Sequence, residues 1–88
     1  MNFIKIIGYK QPYNIKINNT IINKETFIKI VEDVLKNIIT DYNSCYYVIK
    51  LNIYSNLEQL KQTNNKKQLY YYVEQITTDL KEFDLKFK

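Results

Sequence analysis

The residues of this chain that could carry out acid–base or covalent chemistry are few and scattered. Its 88 residues include nine acidic side chains, one Cys and no His. Two acidic groupings stand out, Glu32 with Asp33 and Asp79 with Glu82. Each falls on a predicted helix or at its end, which is typical of a solvated helix surface. A metal site needs more converging oxygen ligands than these pairs supply.

The missing residue types exclude most catalytic designs. Without His, the chain has no ordinary general base near neutral pH and no imidazole ligand for a metal. One Cys and one Gly cannot build a structural zinc site or a glycine-rich phosphate loop. We therefore predict a non-enzymatic protein with no catalytic residues, no cofactor and no metal. A Lys or Asp active site completed by dimerisation is the enzymatic alternative.

The single thiol, Cys45, opens a predicted strand on its apolar side. We interpret it as a small buried hydrophobe, since free Cys usually behaves in that way. A reactive thiol is the alternative, but no neighbour in the sequence supplies the cation that would activate it.

Positive charge comes from lysine alone, and its distribution is uneven. The net charge is +4, and all thirteen basic residues are Lys. The first 24 residues contain four of them and no acid. This bias permits contact with phosphate groups or with an acidic protein. The absence of Arg disfavours base-specific recognition of nucleic acid.

Size and composition indicate one compact domain over residues 1–88. A hydrophobic content of 45% is too high for a disordered chain. With one Cys, no apolar run of about 20 residues and no signal-peptide pattern, we expect a soluble cytoplasmic protein without membrane contact. The abundance of Ile, Asn, Lys and Tyr indicates an A/T-rich genome.

The first part of the chain predicts a small sheet. Residues 3–9 are rich in Ile and aromatic side chains, and residues 13–17 alternate between apolar and polar types. Asn18 and Asn19 form a plausible two-residue turn, because Asn tolerates positive φ angles. A short strand at residues 20–22 would return from it.

A helix follows, with clear signals at its start. Asn23 is a natural N-cap, and Ile22 and Phe27 are spaced as a hydrophobic staple. The helix is predicted to end within residues 40–43. Its apolar side is given by residues at helical spacing, which are Phe27, Ile30, Val31, Val34, Leu35 and Ile38.

The next segment, residues 45–54, alternates in a way that predicts a strand. One of its faces would carry Cys45, Tyr47, Ile49, Leu51 and Ile53. Ser55 and Glu58 match a capping box, so a short helix containing Leu57 and Leu60 is expected to begin there.

The last third of the chain contains a segment whose pattern fits two types of element. Residues 64–67 are predicted to form a turn, and residues 68–76 a helix. A strand is the alternative at 68–76, because residues 70–72 are consecutive tyrosines. In the helix, Tyr72 would point inward and Tyr70 and Tyr71 would flank it. Alternation of Phe83, Leu85 and Phe87 predicts a final strand.

Together these elements predict the α+β class. We expect a two-layer sandwich in which a three- to five-stranded, mostly antiparallel sheet carries two helices on one face.

The opposite face of that sheet is the candidate functional surface. It would be rich in aromatic side chains and lysines and would hold no acid, which is typical of a binding or homodimer surface. The predicted partner-binding residues are Lys5, Tyr9, Lys16, Tyr46, Lys50 and Tyr54.

Three interpretations of this face stay open: a partly covered sheet face in an Ile- and Tyr-rich protein, a protein interface, or a surface for single-stranded nucleic acid.

We expect a small protein that binds a protein or ribonucleoprotein partner. A stoichiometric inhibitor or adaptor fits best, encoded by a phage or mobile element and acting in the host cytoplasm, for example an anti-defence inhibitor of the anti-CRISPR type. The alternatives are a sequence-tolerant binder of RNA or single-stranded DNA, with lysines contacting phosphates, and an immunity or antitoxin protein that binds a cognate toxin.

Overall fold

The computed structural model describes residues 4–37 and 45–82, and these form three strands followed by three helices. The α+β class is confirmed. The predicted sandwich carries two helices on one face of its sheet, whereas the described residues form three helices, and the two-layer arrangement stays a prediction. The elements in chain order are β1 (Ile4–Ile7), β2 (Asn14–Ile17), β3 (Thr20–Asn23), α1 (Lys24–Lys36), α2 (Cys45–Gln62) and α3 (Lys66–Lys81).

The three strands form one antiparallel sheet in the order β1-β2-β3. Ile15 lies opposite Ile6 on one side and opposite Ile22 on the other. Ile6 and Ile15 are buried, and so is Ile17. The predicted inward face is therefore confirmed for these strands. The predicted turn is also confirmed, because Asn18 adopts a φ of 55° between β2 and β3.

Helix α1 begins at the predicted cap. The side-chain oxygen of Asn23 accepts a hydrogen bond from the backbone N–H of Thr26 at 2.7 Å. The predicted inward side is correct at most positions but not at Ile30, which is 37% exposed, while Ile28 is buried. The helix ends at Lys36 with Asn37 as its C-cap, so the predicted end at residues 40–43 is wrong.

The predicted strand at residues 45–54 is wrong, because α2 is one continuous helix from Cys45 to Gln62. Three of its residues, Ile53, Leu57 and Leu60, are fully buried. They follow one another at steps of four and three residues, which places them on one side of a helix. That series crosses the expected strand end. The predicted capping box at Ser55 is therefore also wrong, since this residue lies inside α2.

Helix α3 confirms the helical alternative for residues 68–76. The side-chain oxygen of Asn65 caps it by accepting hydrogen bonds from the backbone N–H groups of Lys67 and Gln68, at 2.9 and 3.3 Å. Tyr72 packs against the core, and Tyr70 and Tyr71 are exposed, as predicted. Burial of four apolar residues at helical spacing outweighs the strand preference of the tyrosines; they are Leu69, Val73, Ile76 and Leu80. The predicted strand at Phe83, Leu85 and Phe87 lies outside the described residues.

Packing of the helices is unequal. Helix α3 contacts β1, and α1 contacts β2 and β3. Helix α2 packs on α3 and α1 and, within residues 4–37 and 45–82, none of its Cα atoms lies within 8 Å of a strand Cα atom. The buried apolar side chains of all three helices join those of the sheet in one cluster. Helix α2 therefore has one side in the core and lies away from the sheet.

Candidate protein-binding surface

Three of the six predicted binding residues belong to the sheet and the loop after β1. Lys5 and Lys16 lie directly opposite each other on neighbouring strands, on the side of the sheet away from the buried isoleucines. Tyr9, in the loop that follows β1, is fully exposed. Within the described part of the chain, neither lysine forms an ion pair. The structure thus brings two like charges together on the outer sheet face.

The other three predicted binding residues, Tyr46, Lys50 and Tyr54, lie on α2. A spacing of four residues keeps them on the same side of a helix, just as it would keep them on one face of a strand. Tyr46 is 44% exposed and Tyr54 is 39% exposed. The prediction that these three side chains lie together is therefore confirmed, although they belong to a helix and not to a strand.

The expectation of one continuous face that carries all six residues is wrong. Its physical reason is that residues 45–54 belong to a helix and not to a strand of the sheet. The lysine pair of the sheet and the tyrosines of α2 thus belong to separate parts of the surface. The binding role of all six residues stays a prediction.

Two further apolar side chains of α2 are exposed. Val48 is 57% exposed and Leu51 is 48% exposed. Val48, Leu51 and Tyr54 follow at steps of three residues, so they form a continuous row along the helix. We call Val48, Leu51 and Tyr54 the α2 apolar surface; Tyr46, two residues before Val48, lies on a different side of the helix, one turn from Lys50. Leu51 was missed as a surface residue, since the predicted strand placed it on the buried face.

The signal for this surface is present in the sequence. Residues 45–54 are apolar at nearly every position except Lys50 and Asn52. A helix with this composition is apolar around its whole circumference, whereas an ordinary surface helix is apolar on one side. Exposed apolar residues on α2 follow once the segment is recognised as helical.

The second half of α2 differs from the first because it is polar and tied to α1. The Lys61 ammonium lies 3.1 Å from the Glu58 carboxylate and 3.8 Å from that of Glu32 on α1. The hydrogen bond to Glu58 raises the pKa of Lys61, and the charge of Glu32 adds to this. The apolar surface is therefore confined to the part of α2 that precedes these ion pairs.

The end of α2 is held by the first residue of α1. The Lys24 ammonium donates hydrogen bonds to the carbonyl oxygens of Thr63, at 3.0 Å, and Lys61, at 3.4 Å. Carbonyl groups at a helix end lack partners within the helix, and a cation there is favourable. We call these hydrogen bonds of Lys24 the clamp. They fix the direction in which α2 enters residues 63–65, the α2–α3 turn.

The loop between β1 and β2 is fastened to the same turn. The Gln11 side-chain amide donates to the carbonyl oxygen of Asn64 at 3.0 Å. The Lys66 ammonium donates to the carbonyl oxygen of Gly8 at 3.1 Å and lies 5.8 Å from the centre of the Tyr13 ring. Lysines 24 and 66 therefore connect elements that are distant in sequence.

The acidic groups do not assemble into a site. Burial, and then the charge of Glu82, raise the pKa of Asp79 at the end of α3. Within residues 4–37 and 45–82, no three acidic or Cys side chains converge to hold a metal ion. None of the helices described is both long and apolar enough to cross a bilayer. The side chain of Cys45 lies outside the described part of the structure.

Comparison with known proteins adds no assignment, since no protein-family model, curated protein or solved structure matches this chain.

Proposed function

We propose that this protein is non-enzymatic and acts by binding another protein through the α2 apolar surface. The observation that supports this most strongly is the row of large exposed side chains, Val48, Leu51 and Tyr54, on the side of α2 away from its buried residues. Single exposed apolar residues are ordinary, but a contiguous group of them marks an interaction surface.

The composition of the surface indicates the chemistry of the partner. Tyrosine offers a large contact area at low cost in conformational entropy, and its hydroxyl group can hydrogen-bond at the rim. Lys50 lies one helical turn from both Tyr46 and Tyr54 and places a cation in this area. The matching site is an apolar groove with an acidic residue at its edge, as in helix-in-groove recognition.

A protein of this kind acts by occupying its partner. We infer a stoichiometric inhibitor or adaptor, and the A/T-rich composition supports a phage or mobile-element origin with action in the host cytoplasm, as for an anti-defence or anti-CRISPR-type inhibitor. An immunity or antitoxin protein would use the same mode of binding toward a toxin. The two-layer sandwich belongs with this proposal, and contact of both α1 and α3 with the sheet supports it.

A second candidate function is sequence-tolerant binding of RNA or single-stranded DNA. The lysine pair formed by Lys5 and Lys16 favours it, together with the exposed ring of Tyr9. Lysines track phosphates, and aromatic rings stack on bases without regard to sequence. The α2 apolar surface does not contribute to this function.

The test compares partner recovery by variants of the tagged full-length chain in its native host cell. We expect the double variant Tyr46→Ala/Tyr54→Ala to lose a protein that the wild type retains. Ile30→Ser, which alters an exposed apolar residue on α1 instead, is the matched control and should retain it. Circular dichroism checks that each variant is folded. Equal recovery by all three proteins would show that α2 is not the binding surface.

A salt titration separates the two candidate functions. Binding through lysine–phosphate contacts weakens steeply with salt, by a log–log slope of roughly 0.7 to 0.9 per contact. Binding through apolar and aromatic contacts should respond weakly. A steep slope, together with loss of binding in Lys5→Gln/Lys16→Gln, would replace the leading proposal by the second.

A further inference from the structure

Strand β1 lies at the edge of the described sheet and pairs with β2 on one side. In an antiparallel pair, alternate residues of an edge strand direct their N–H and C=O groups away from the neighbour. These groups can accept a further strand. Proteins usually protect such an edge from pairing with other chains. Here the edge lies beside a groove with several lysines around it.

A groove of about 550 Å³ follows β1 along its whole length. The strand and the start of the next loop form one wall, and Lys66 and Tyr70 of α3 form the other. The bond from the Lys66 ammonium to the Gly8 carbonyl oxygen, 3.1 Å long, holds the two walls together. An edge strand beside a helix is the geometry that binds an extended peptide by strand addition.

The charges around this groove are mostly positive. Lys5 is exposed on the outer side of β1, and Lys66 and Lys67 begin α3, whose first turn contains no acid. Glu74 lies near Tyr70, and its hydrogen bond with the Tyr70 hydroxyl group raises the pKa of that tyrosine. Glu74 is thus already engaged, while the end of the groove near Gly8 is basic.

We propose that β1 binds an extended, acidic segment of a partner protein as an added strand in this groove. The segment's backbone would hydrogen-bond to alternate residues of β1. Its apolar side chains would lie over Ile6 and Tyr70, and carboxylates on the alternate side chains would face Lys5. A further carboxylate at the end of the segment would reach Lys67.

This second surface goes beyond binding through α2, since the groove is lined by β1, the start of the loop after it and α3. A second copy of the chain is a poor occupant of the groove. Pairing β1 with β1 of another molecule would bring the Lys5 side chains together, and each molecule carries a net charge of +4. Like charges opposed across strands are unfavourable, whereas an acidic segment neutralises them.

The test uses the full-length, ¹⁵N-labelled protein and a seven-residue peptide of alternating Glu and Val. The expected result is a shift of the β1 amide resonances with a dissociation constant on the order of 0.1 to 1 mM. Lys5→Gln/Lys67→Gln should weaken binding about threefold to tenfold, since each exposed ion pair contributes modestly. Lys29→Gln/Lys36→Gln, which removes two exposed positive charges from α1 instead, is the matched control and should leave peptide affinity unchanged.

Two further peptides test the mode of binding. N-methylation of alternate residues, on the edge that would face β1, removes backbone donors and should abolish the shifts. Replacement of every Glu by Lys should also abolish them. Equal binding of either peptide, or shifts confined to α2, would overturn the proposal. So would binding of oligothymidylate at β1 without peptide binding, or concentration-dependent shifts of β1 in the protein alone, which would indicate nucleic acid or a second copy as the occupant.

Discussion

The helical structure of residues 45–54 can be tested with two apolar residues, Leu51 and Ile53. A helix places their side chains on different sides, whereas a strand would place them on the same face. Ile53 is fully buried, whereas Leu51 is 48% exposed. Truncation of a buried Ile to Ala removes its packing and leaves a cavity, which costs about 2 to 5 kcal/mol. For Leu51→Ala we expect a loss of about 1 kcal/mol or less, since half of the side chain already contacts water and Ala favours the helix.

These losses are large enough to measure. A domain of this size has a free energy of unfolding of roughly 4 to 13 kcal/mol. A difference of about 2 kcal/mol between the two variants corresponds to roughly 8 to 16 °C in Tm. Urea and thermal unfolding, followed by circular dichroism, give both values. In a strand the two side chains would share the buried face, so equal losses for Leu51→Ala and Ile53→Ala would refute the helical placement.

The remaining predictions concern the clamp, an acidic group and a helix cap. Lys24→Met should lower the free energy of unfolding by about 1 kcal/mol, because it removes hydrogen bonds to the end of α2; Lys61→Met, which alters an exposed ion pair, should change it little in the same urea titration. The raised pKa of Asp79 means that the folded protein keeps this proton to higher pH than the unfolded chain does, so stability from this group is lost as the pH rises above 3.8. Asp79→Asn should therefore stabilise the protein near pH 7 and not below about pH 3, where both states are protonated, and the opposite order in thermal melts would contradict the assigned cause. Asn65→Ala should cost about 1 kcal/mol through loss of the α3 cap, whereas Asn65→Ser should preserve most of the stability; equal losses in chemical unfolding would show that the cap is unimportant.

Local signals explain which elements the sequence predicts correctly. The cap of α1 at Asn23 could be predicted because a short polar side chain directly before an apolar helical series is sufficient to identify a helix start. Ile15 and Ile17 alternate with polar residues, so their burial on one sheet face follows directly. Both patterns are contained within a few consecutive residues.

Residues 45–54 are ambiguous for a physical reason. Apolar side chains occupy both the odd and the even positions, so strand and helix patterns fit equally well within the segment. The spacing of Ile53, Leu57 and Leu60 decides between them, but it extends beyond the expected boundary at Ser55. Because of this error, Leu51 was predicted to be buried, and its part in the α2 apolar surface was not predicted.

The groove beside β1 depends on contacts that local patterns cannot supply. Lys66 and Gly8 are separated by 58 positions, and their hydrogen bond exists only because α3 packs against β1. The edge position of β1 follows from strand order. Neither property is encoded in the periodicity of a single segment. In contrast, the four-residue spacing of Tyr46, Lys50 and Tyr54 places these side chains on one side of either a helix or a strand, so their grouping was predicted correctly.

The most direct test of binding through α2 is the dissociation constant of the partner, purified after recovery with the wild-type chain, for Val48→Ser/Leu51→Ser and for Ile30→Ser. Loss of two apolar contacts at an interface should weaken binding by the α2 variant about thirtyfold or more. The α1 variant should bind like the wild type. An unchanged dissociation constant for Val48→Ser/Leu51→Ser, with the fold intact, would contradict binding through the α2 apolar surface.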